Sequence, residues 1–330
     1  MEIYDTDKMR LFLRKTFVGG LEMKMFYPGA KVTIMSRLMN ITGYADPDTK
    51  AALKVDSARG IAILPLDLQA VANCLNTARG HGFRLNQLKL AVLPAHVASS
   101  VGVPADSKGT VAIEFMYTDG DACTRLQHAL ADVSDCLTAT TPDVVDEWGA
   151  IFFPDAGSSS GTPMAMAAAK AGFLPSPASC TQDVTLAVVK PHAVEEGLLG
   201  PILTAISEGG FTVTGMEMRV LTETDAADFY EVYRGVVPQA EFHAMMQCLS
   251  AGACVALEIQ GAVAGDGGAY GAFREMVGPR DPEVARLLRP ESLRARFGTD
   301  KVRNALHCTD LEEDTAIESE YFFRVLNARG

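Results

Sequence analysis

Long apolar runs are missing from this chain of 330 residues: its most hydrophobic stretches, such as IAILPL and TLAVV, fall far short of the ~20 residues that cross a bilayer. A helical membrane span is not expected. Lys/Arg-rich runs are missing too, and 29 basic residues against 41 acidic ones leave a net charge of -12. Without a basic face to meet a phosphate backbone, nucleic acid is not an expected partner. The seven cysteines are odd in number and form no CxxC pair, and MEIYDTDKMRLFLRK lacks the apolar core of a signal peptide. The expectation is a cytosolic protein with reduced thiols.

Apolar material is plentiful: 48% hydrophobic residues in a chain of this length can bury more than one core, so two or three domains are expected. Residues 154–183 are rich in Gly, Ser, Pro and Ala, a composition that cannot offset the entropy of ordering by burial. They read as a linker, whose roughly 30 residues would span about 30 Å and let the flanking domains pack side by side.

The two sides of that linker repeat one another weakly. IAIL (61–64) matches LAVV (186–189), GFRLNQLKLAVLP (82–94) matches GFTVTGMEMRVLT (210–222), TVAIEF (110–115) matches CVALEI (254–259), and AIFF (150–153) matches EYFF (320–323). Each pair reads as a strand, and helical spacing of Leu198, Leu199, Ile202, Leu203 and Ile206 fills the first interval of the second copy. Strand, helix, strand, then further helix and strand, is the split βαβ plan of ferredoxin-like folds, in the α/β (α+β) class. The first copy is shorter: Phe83 to Val111 is 28 residues against 44 from Phe211 to Val255, and Val111 to Phe152 is 41 against 67 from Val255 to Phe322. The missing segment corresponds to the one carrying NALHCTD (304–310), so chemistry is expected in the second copy only. Ahead of the repeat, residues 11–46 alternate apolar and polar runs broken by GG and PG, which suggests a small β-meander. The expected domains are thus 1–50 (partial β domain), 51–153 (degenerate repeat), 154–183 (linker) and 184–330.

In the second copy TLAVVKPHA ends a buried strand on Lys190, and Pro191 stops the pairing. A lysine at that edge either faces a crevice or snorkels to solvent. Arg274, Arg280, Arg286, Arg289, Arg294, Arg296 and Arg303 follow, densely set for an acidic protein. Guanidinium forks match polyphosphate oxygens, although a solvated helical face could carry the same run. His81, His96, His128, His192 and His243 read as structural histidines. His307 differs because Glu318, eleven residues on at the start of an expected terminal strand ESEYFFRVL, could fix its tautomer and leave the other ring nitrogen free to attack. GAVAGDGGAYGAF (261–273) is a glycine-rich insertion without GK[ST]; it reads as a loop that either contacts a partner or is simply flexible, not as a phosphate loop.

TLAVVKPHAVEEGLLG, VALEI, RPESLRARFG and NALHCTD resemble a nucleoside diphosphate kinase, over about 185–326. DFYEVYRGVV, DPEVARLLRP and HCTDLEED resemble the second repeat of the nucleoside diphosphate kinase 7 family in particular, in which a β domain called DM-ten precedes two kinase repeats. Residues 1–48 resemble only the latter half of that domain. The resemblance implies two tandem ferredoxin-like kinase folds, the first degenerate, and ping-pong transfer of a γ-phosphoryl group through a histidine, with Mg2+ accompanying ATP or another nucleoside triphosphate. Carried over by position, His307 is the nucleophile and Glu318 its orienting carboxylate, Lys190, Tyr230, Arg274, Arg294 and Asn304 hold phosphates and ribose, and Thr309 sits beside the histidine. The chain departs from the pattern where Val236 or Val237 replaces a base-stacking phenylalanine, where Arg280 aligns near a phosphate-contacting threonine, and where Cys308 replaces glycine. The first repeat has Pro65 or Leu66 for the lysine and no NxxH, which implies a catalytically dead copy. The same family resemblance implies a structural role in the cilium or flagellum, as a microtubule inner protein of axonemal doublets, with tubulin, other inner proteins and the γ-tubulin complex as partners.

Overall fold

A computed structural model describes residues 2–5, 8–17, 31–34, 37–40, 58–104, 108–117, 121–154, 174–181, 184–261 and 268–329. Most of the expected linker 154–183, and much of the expected meander, lie outside them. The chain divides into two compact units, 1–58 with 117–122, and 59–116 with 123–330. In the first, β1 (Ile3–Asp5) pairs antiparallel with β2 (Arg10–Leu13), and β3 (Lys31–Ile34) with β4 (Arg37–Asn40).

The second unit holds both repeats on one sheet. The first repeat runs β5 (Ala58–Pro65), α1 (Leu68–Gly80), β6 (Arg84–Ala91), α2 (Ala95–Val101), β7 (Thr110–Tyr117), α3 (Ala122–Ala129), β8 (Leu137–Thr138), α4 (Pro142–Phe152). The second runs β9 (Val184–Val189), α5 (Pro191–Glu195), α6 (Leu199–Glu208), β10 (Thr212–Val220), α7 (Glu223–Phe229), α8 (Gln239–Leu249), β11 (Ala253–Gln260), α9 (Gly268–Val277), α10 (Pro282–Leu288), α11 (Leu293–Phe297), β12 (Leu306–Cys308), α12 (Thr315–Glu320) and, past a π-helical turn over Tyr321–Val325, α13 (Leu326–Arg329). The strand order is β12-β9-β11-β10-β6-β7-β5-β8. Each half therefore has its own strands in the order fourth, first, third, second, the ferredoxin-like arrangement, and the halves join edge to edge through their second strands. The expected tandem fold is what the chain adopts.

Local chemistry explains these elements. Every residue of β9 is buried, as a strand covered on both faces requires. In α6 the buried Leu199, Ile202, Leu203 and Ile206 recur at three and four residues, the stripe of a helix lying on a core. At the seam Lys89 on β6 stands opposite Glu217 on β10, both buried, and Arg219 completes an ion pair with Glu217 at 2.9 Å. Above it α1 packs on the turn into α6: a Cβ at Gly197, whose φ is +73°, would lie 1.4 Å from Arg79 Nη1, and one at Gly200 would lie 2.1 Å from Asn76 Oδ1.

Two expectations are corrected. ESEYFFRVL is helical, not a strand: Glu318, Ser319, Phe322, Phe323 and Leu326 are buried at a helix's spacing. Its match AIFF likewise ends α4. The fourth strands are instead β8 and β12, the latter lying inside NALHCTD. The glycine-rich segment 261–273 is not wholly a loop either, because from Gly268 it forms α9, with Ala269, Phe273 and Val277 on the buried face. Among the described residues no helix is long and apolar enough to cross a membrane.

Gly197→Val tests the seam. A β-branched residue at positive φ, pressed against Arg79, should lower the unfolding free energy by roughly 1–3 kcal/mol; chemical denaturation that gives the wild-type midpoint would contradict this packing.

Candidate functional site

A cleft opens in the second half, lined by Lys190, Tyr230, Tyr233, Met245, Arg280, Arg294, Asn304, His307 and Asp310. Its floor is built by β9 and β12, whose register sets Val188 opposite His307 and Val189 opposite Leu306. Lys190 follows β9 directly, and Pro191, with no N–H to lose, opens α5.

The imidazole of His307 is 6% exposed. Its Nε2 faces Glu318 Oε2 at 3.0 Å, and that oxygen also accepts the Thr309 hydroxyl at 2.8 Å. Thr309 Oγ1 in turn accepts the Leu186 amide at 3.3 Å. The ring stands edge-on to Phe229 and Tyr230, with centroids 5.0 and 6.0 Å away. A carboxylate on Nε2 keeps the proton there and leaves the Nδ1 lone pair free, which is the state of a nucleophilic imidazole. The residue before the strand is held in an uncommon conformation: Ala305 has φ +70°, and the Leu306 amide donates back to Asn304 O at 2.9 Å, closing a three-residue turn.

Two of the cleft's cations have no carboxylate partner among the described residues. Arg294, on α11 and 6% exposed, donates from Nε to Leu306 O at 3.2 Å and from Nη1 to Gly278 O at 3.1 Å, with Nη2 beside Cys308 Sγ. Lys190 is 4% exposed and places Nζ 2.8 Å from Val302 O. Neither meets a carboxylate among the described residues. Burial, helped by the nearby Arg294 and Arg280 guanidiniums, brings Lys190 down to about 7. Two polar atoms on the wall also wait for partners: Asn304 Oδ1 and the Tyr230 hydroxyl are buried without hydrogen bonds among the described residues. Burial raises the Tyr230 phenol well above its ordinary value, so that hydroxyl is a donor.

Of the eight residues expected from sequence, Lys190, Tyr230, Arg294, Asn304 and His307 line the cleft, with Glu318 and Thr309 directly behind the imidazole. Arg274 stands apart from the lining, its Nη1 donating to Asp310 Oδ1 at 2.6 Å and Thr309 O at 2.9 Å. Burial pushes the Asp310 carboxyl up, but bonds from the Tyr233 hydroxyl and Arg274 outweigh it and hold the group below the usual carboxylate range. Arg280, named from sequence in the arginine run, also lines the cleft, whereas Tyr233, Met245 and Asp310 were missed; Asp310 stood in NALHCTD, and Tyr233 three residues after Tyr230. Arg280 pairs with Glu241. Val236 is 76% exposed and does not line the cleft.

Among the described residues no group of three or more His, Cys, Asp and Glu could hold a metal ion. The arrangement can bind a polyanion, present it to Nδ1 of His307 and keep the ring in one tautomer. The first half does not repeat it. Leu66 stands past β5 where Lys190 stands past β9, and β8 carries Leu137 and Thr138.

A family model described as nucleoside diphosphate kinase matches residues 183–327. The chain is 32% identical over 352 residues to nucleoside diphosphate kinase homolog 7 of Mus musculus, an alignment that covers 99% of this chain and 86% of that protein. Nucleoside diphosphate kinase of Aquifex aeolicus is 37% identical over 139 residues, 42% of this chain and 92% of its own. A crystal structure of the A. aeolicus protein aligns at 38% identity with a TM-score of 0.39, covering 44% of this chain and 96% of that one.

The Lys190 ammonium gives the cleft a pH dependence of definite sign. An unfolded lysine keeps its proton up to about 10.5, whereas the folded, anion-free one releases it near 7, so the anion-free protein gains stability as pH rises between those values. A bound polyanion favours the protonated form, so ADP affinity should fall as pH rises above 7, by up to about tenfold per unit. Calorimetry from pH 7 to 9 should show that slope in the wild type and its loss in Lys190→Met; equal slopes in both would contradict the assignment.

Proposed function

Because the chain belongs to the nucleoside diphosphate kinase 7 family, we propose that its C-terminal half transfers phosphoryl groups between nucleotides through a phosphohistidine at His307. At the coarser level, family membership makes it a nucleoside diphosphate kinase-related, nucleotide-binding protein. The single observation that carries the finer reading is the junction of two buried side chains, Lys190 and Arg294, that have no carboxylate partner among the described residues, with an imidazole tied down there at one nitrogen.

The residues divide the work. Nδ1 of His307 attacks the terminal phosphorus of a nucleoside triphosphate, the bond to the bridging oxygen breaks, and the nucleoside diphosphate leaves with that electron pair. Glu318 steadies the positive charge that builds on the ring, and Thr309 holds Glu318. Lys190 and Arg294 offset the negative charge on the phosphate oxygens. In the return step a terminal oxygen of a second diphosphate attacks the phosphorus and the N–P bond breaks, restoring the free lone pair. A divalent cation bound to the nucleotide's own phosphates would supply further charge neutralisation there, and Asp310, a carboxylate lining the cleft, would be the residue to hold it. Tyr230 and Asn304 offer a hydroxyl donor and an amide acceptor to the sugar.

Brief exposure to γ-labelled ATP should leave acid-labile, base-stable label on the wild type and none on His307→Gln, and Glu318→Gln should slow labelling at least about tenfold. Label of equal amount on His307→Gln would end this reading.

A second reading concerns the place of work: a microtubule inner protein of axonemal doublets, in contact with tubulin, other inner proteins and the γ-tubulin complex. Its support is the family, together with a first repeat that retains a whole ferredoxin-like scaffold without the lysine or histidine. Fractionated cilia should retain the chain in salt-washed doublets; its complete release with the soluble matrix would rule the placement out.

A further inference from the structure

The active-site turn rests on a histidine that lies outside the cleft lining. His192, on α5, faces the Ala305 amide with Nε2 at 3.3 Å. The main-chain amide of Lys190, two residues earlier, donates to Ala305 O at 2.9 Å. Both polar groups of the residue at φ +70° are therefore gripped by one short segment, 190–192, while Asn304 and His307 flank that residue in the cleft. Since the Ala305 N–H is the donor, Nε2 must be an acceptor and the His192 proton sits on Nδ1, which lies 3.7 Å from Cys248 Sγ on α8. The environment keeps the ring uncharged: burial, then the Lys190 and Arg303 cations, lower His192 to about 4. Ala305 is fully buried, so without this imidazole its amide would be an unsatisfied buried donor in a backbone conformation that already costs energy.

We infer that His192 is a positioning residue for phosphoryl transfer: by accepting the Ala305 amide it holds the turn that sets Asn304 and the His307 ring in their places. This role rests on the phosphohistidine reading for its kinetic consequence and on geometry alone for its structural one. A glutamine at 192 can present an acceptor oxygen near the place of Nε2, whereas leucine fills similar space with no acceptor.

The test compares wild type, His192→Leu and His192→Gln by three readouts: hydrogen exchange of the 15N-labelled Ala305 amide, the rate of His307 labelling by γ-labelled ATP, and the melting temperature. His192→Leu should speed Ala305 exchange at least about tenfold and slow labelling by about as much, at a temperature well below its melting transition; His192→Gln should recover most of both. Ala305 exchange within twofold of wild type in folded His192→Leu overturns the inference, as does exchange restored by glutamine with labelling unchanged in leucine. Should the wild type itself take no label, the phosphohistidine reading falls, and Ala305 exchange with the glutamine rescue decides this one by itself.

Discussion

Arg294 is buried with its guanidinium on two main-chain carbonyls and a cysteine sulfur, and on nothing negative among the described residues. Taking an ion out of water costs free energy that dipoles return only in part, so such a cation needs a reason to persist. Lys190, likewise buried without a carboxylate partner among the described residues, raises the same demand. The carboxylates around the cleft could have answered it, yet each is engaged elsewhere: Glu318 with His307 and Thr309, Asp310 with Arg274 and Tyr233, Glu241 with Arg280. In a chain of net charge -12 this is a local reversal of sign, held open by hydrogen bonds that keep the acids off the two cations. A polyphosphate supplies the missing charge in a single binding event, which is why the rest of the site is best understood as an arrangement around it.

The pairing of the halves bears on how that arrangement is kept. Both repeats have the same strand order and meet at their second strands, so the sheet is continuous over eight strands. A lone four-stranded half would leave β10 as an open edge, with unpaired amides and carbonyls along it. Here β6 joins that edge at the Lys89–Glu217 pair, and Gly197 and Gly200 let α1 approach the start of α6 closely. The first half can therefore lose the lysine and the histidine, and have only α3 between β7 and β8 where the second half has α9, α10 and α11 before β12, without weakening this support.

Much of this was legible in the sequence, and the limits have physical causes. Strands β5, β7, β9 and β11 were readable because buried strands leave nearly continuous apolar runs, β6 and β10 because their apolar and polar residues alternate, and α6 because its stripe repeats at three and four residues. Lys190, Arg294, Asn304 and His307 stood in motifs whose residue types already imply anion chemistry. ESEYFFRVL misled because two adjacent phenylalanines fit either period over a short window; only with Glu318, Ser319 and Leu326 included does the helical one win. Glu318 nonetheless reaches His307, since a helix packed on β9 can bring a side chain back as readily as a strand. Long-range contacts left no trace at all: Lys190 meets Val302 across 112 residues and His192 meets Ala305 across 113. Arg274 was expected among the phosphate and ribose contacts by carry-over from the family resemblance, which assigns positions in the chain but not where a side chain turns; here it turns to Asp310.

One strand supplies the common ruler for the site. From β9, Leu186 gives its amide to Thr309, Val188 lies across from His307, and just past its end Lys190 gives its amide to Ala305. The hydroxyl that steadies Glu318, the imidazole and the turn are thus all in register with six consecutive residues of a fully buried strand. Because side chains alternate faces, a slip of one residue between β9 and β12 would carry His307 to the other face of the sheet, away from Glu318 and the two cations together. Burial of β9 on both faces makes that slip costly, since every residue in it fills a packed environment. The geometry of the site is set in this way by an apolar strand that supplies no reactive group of its own.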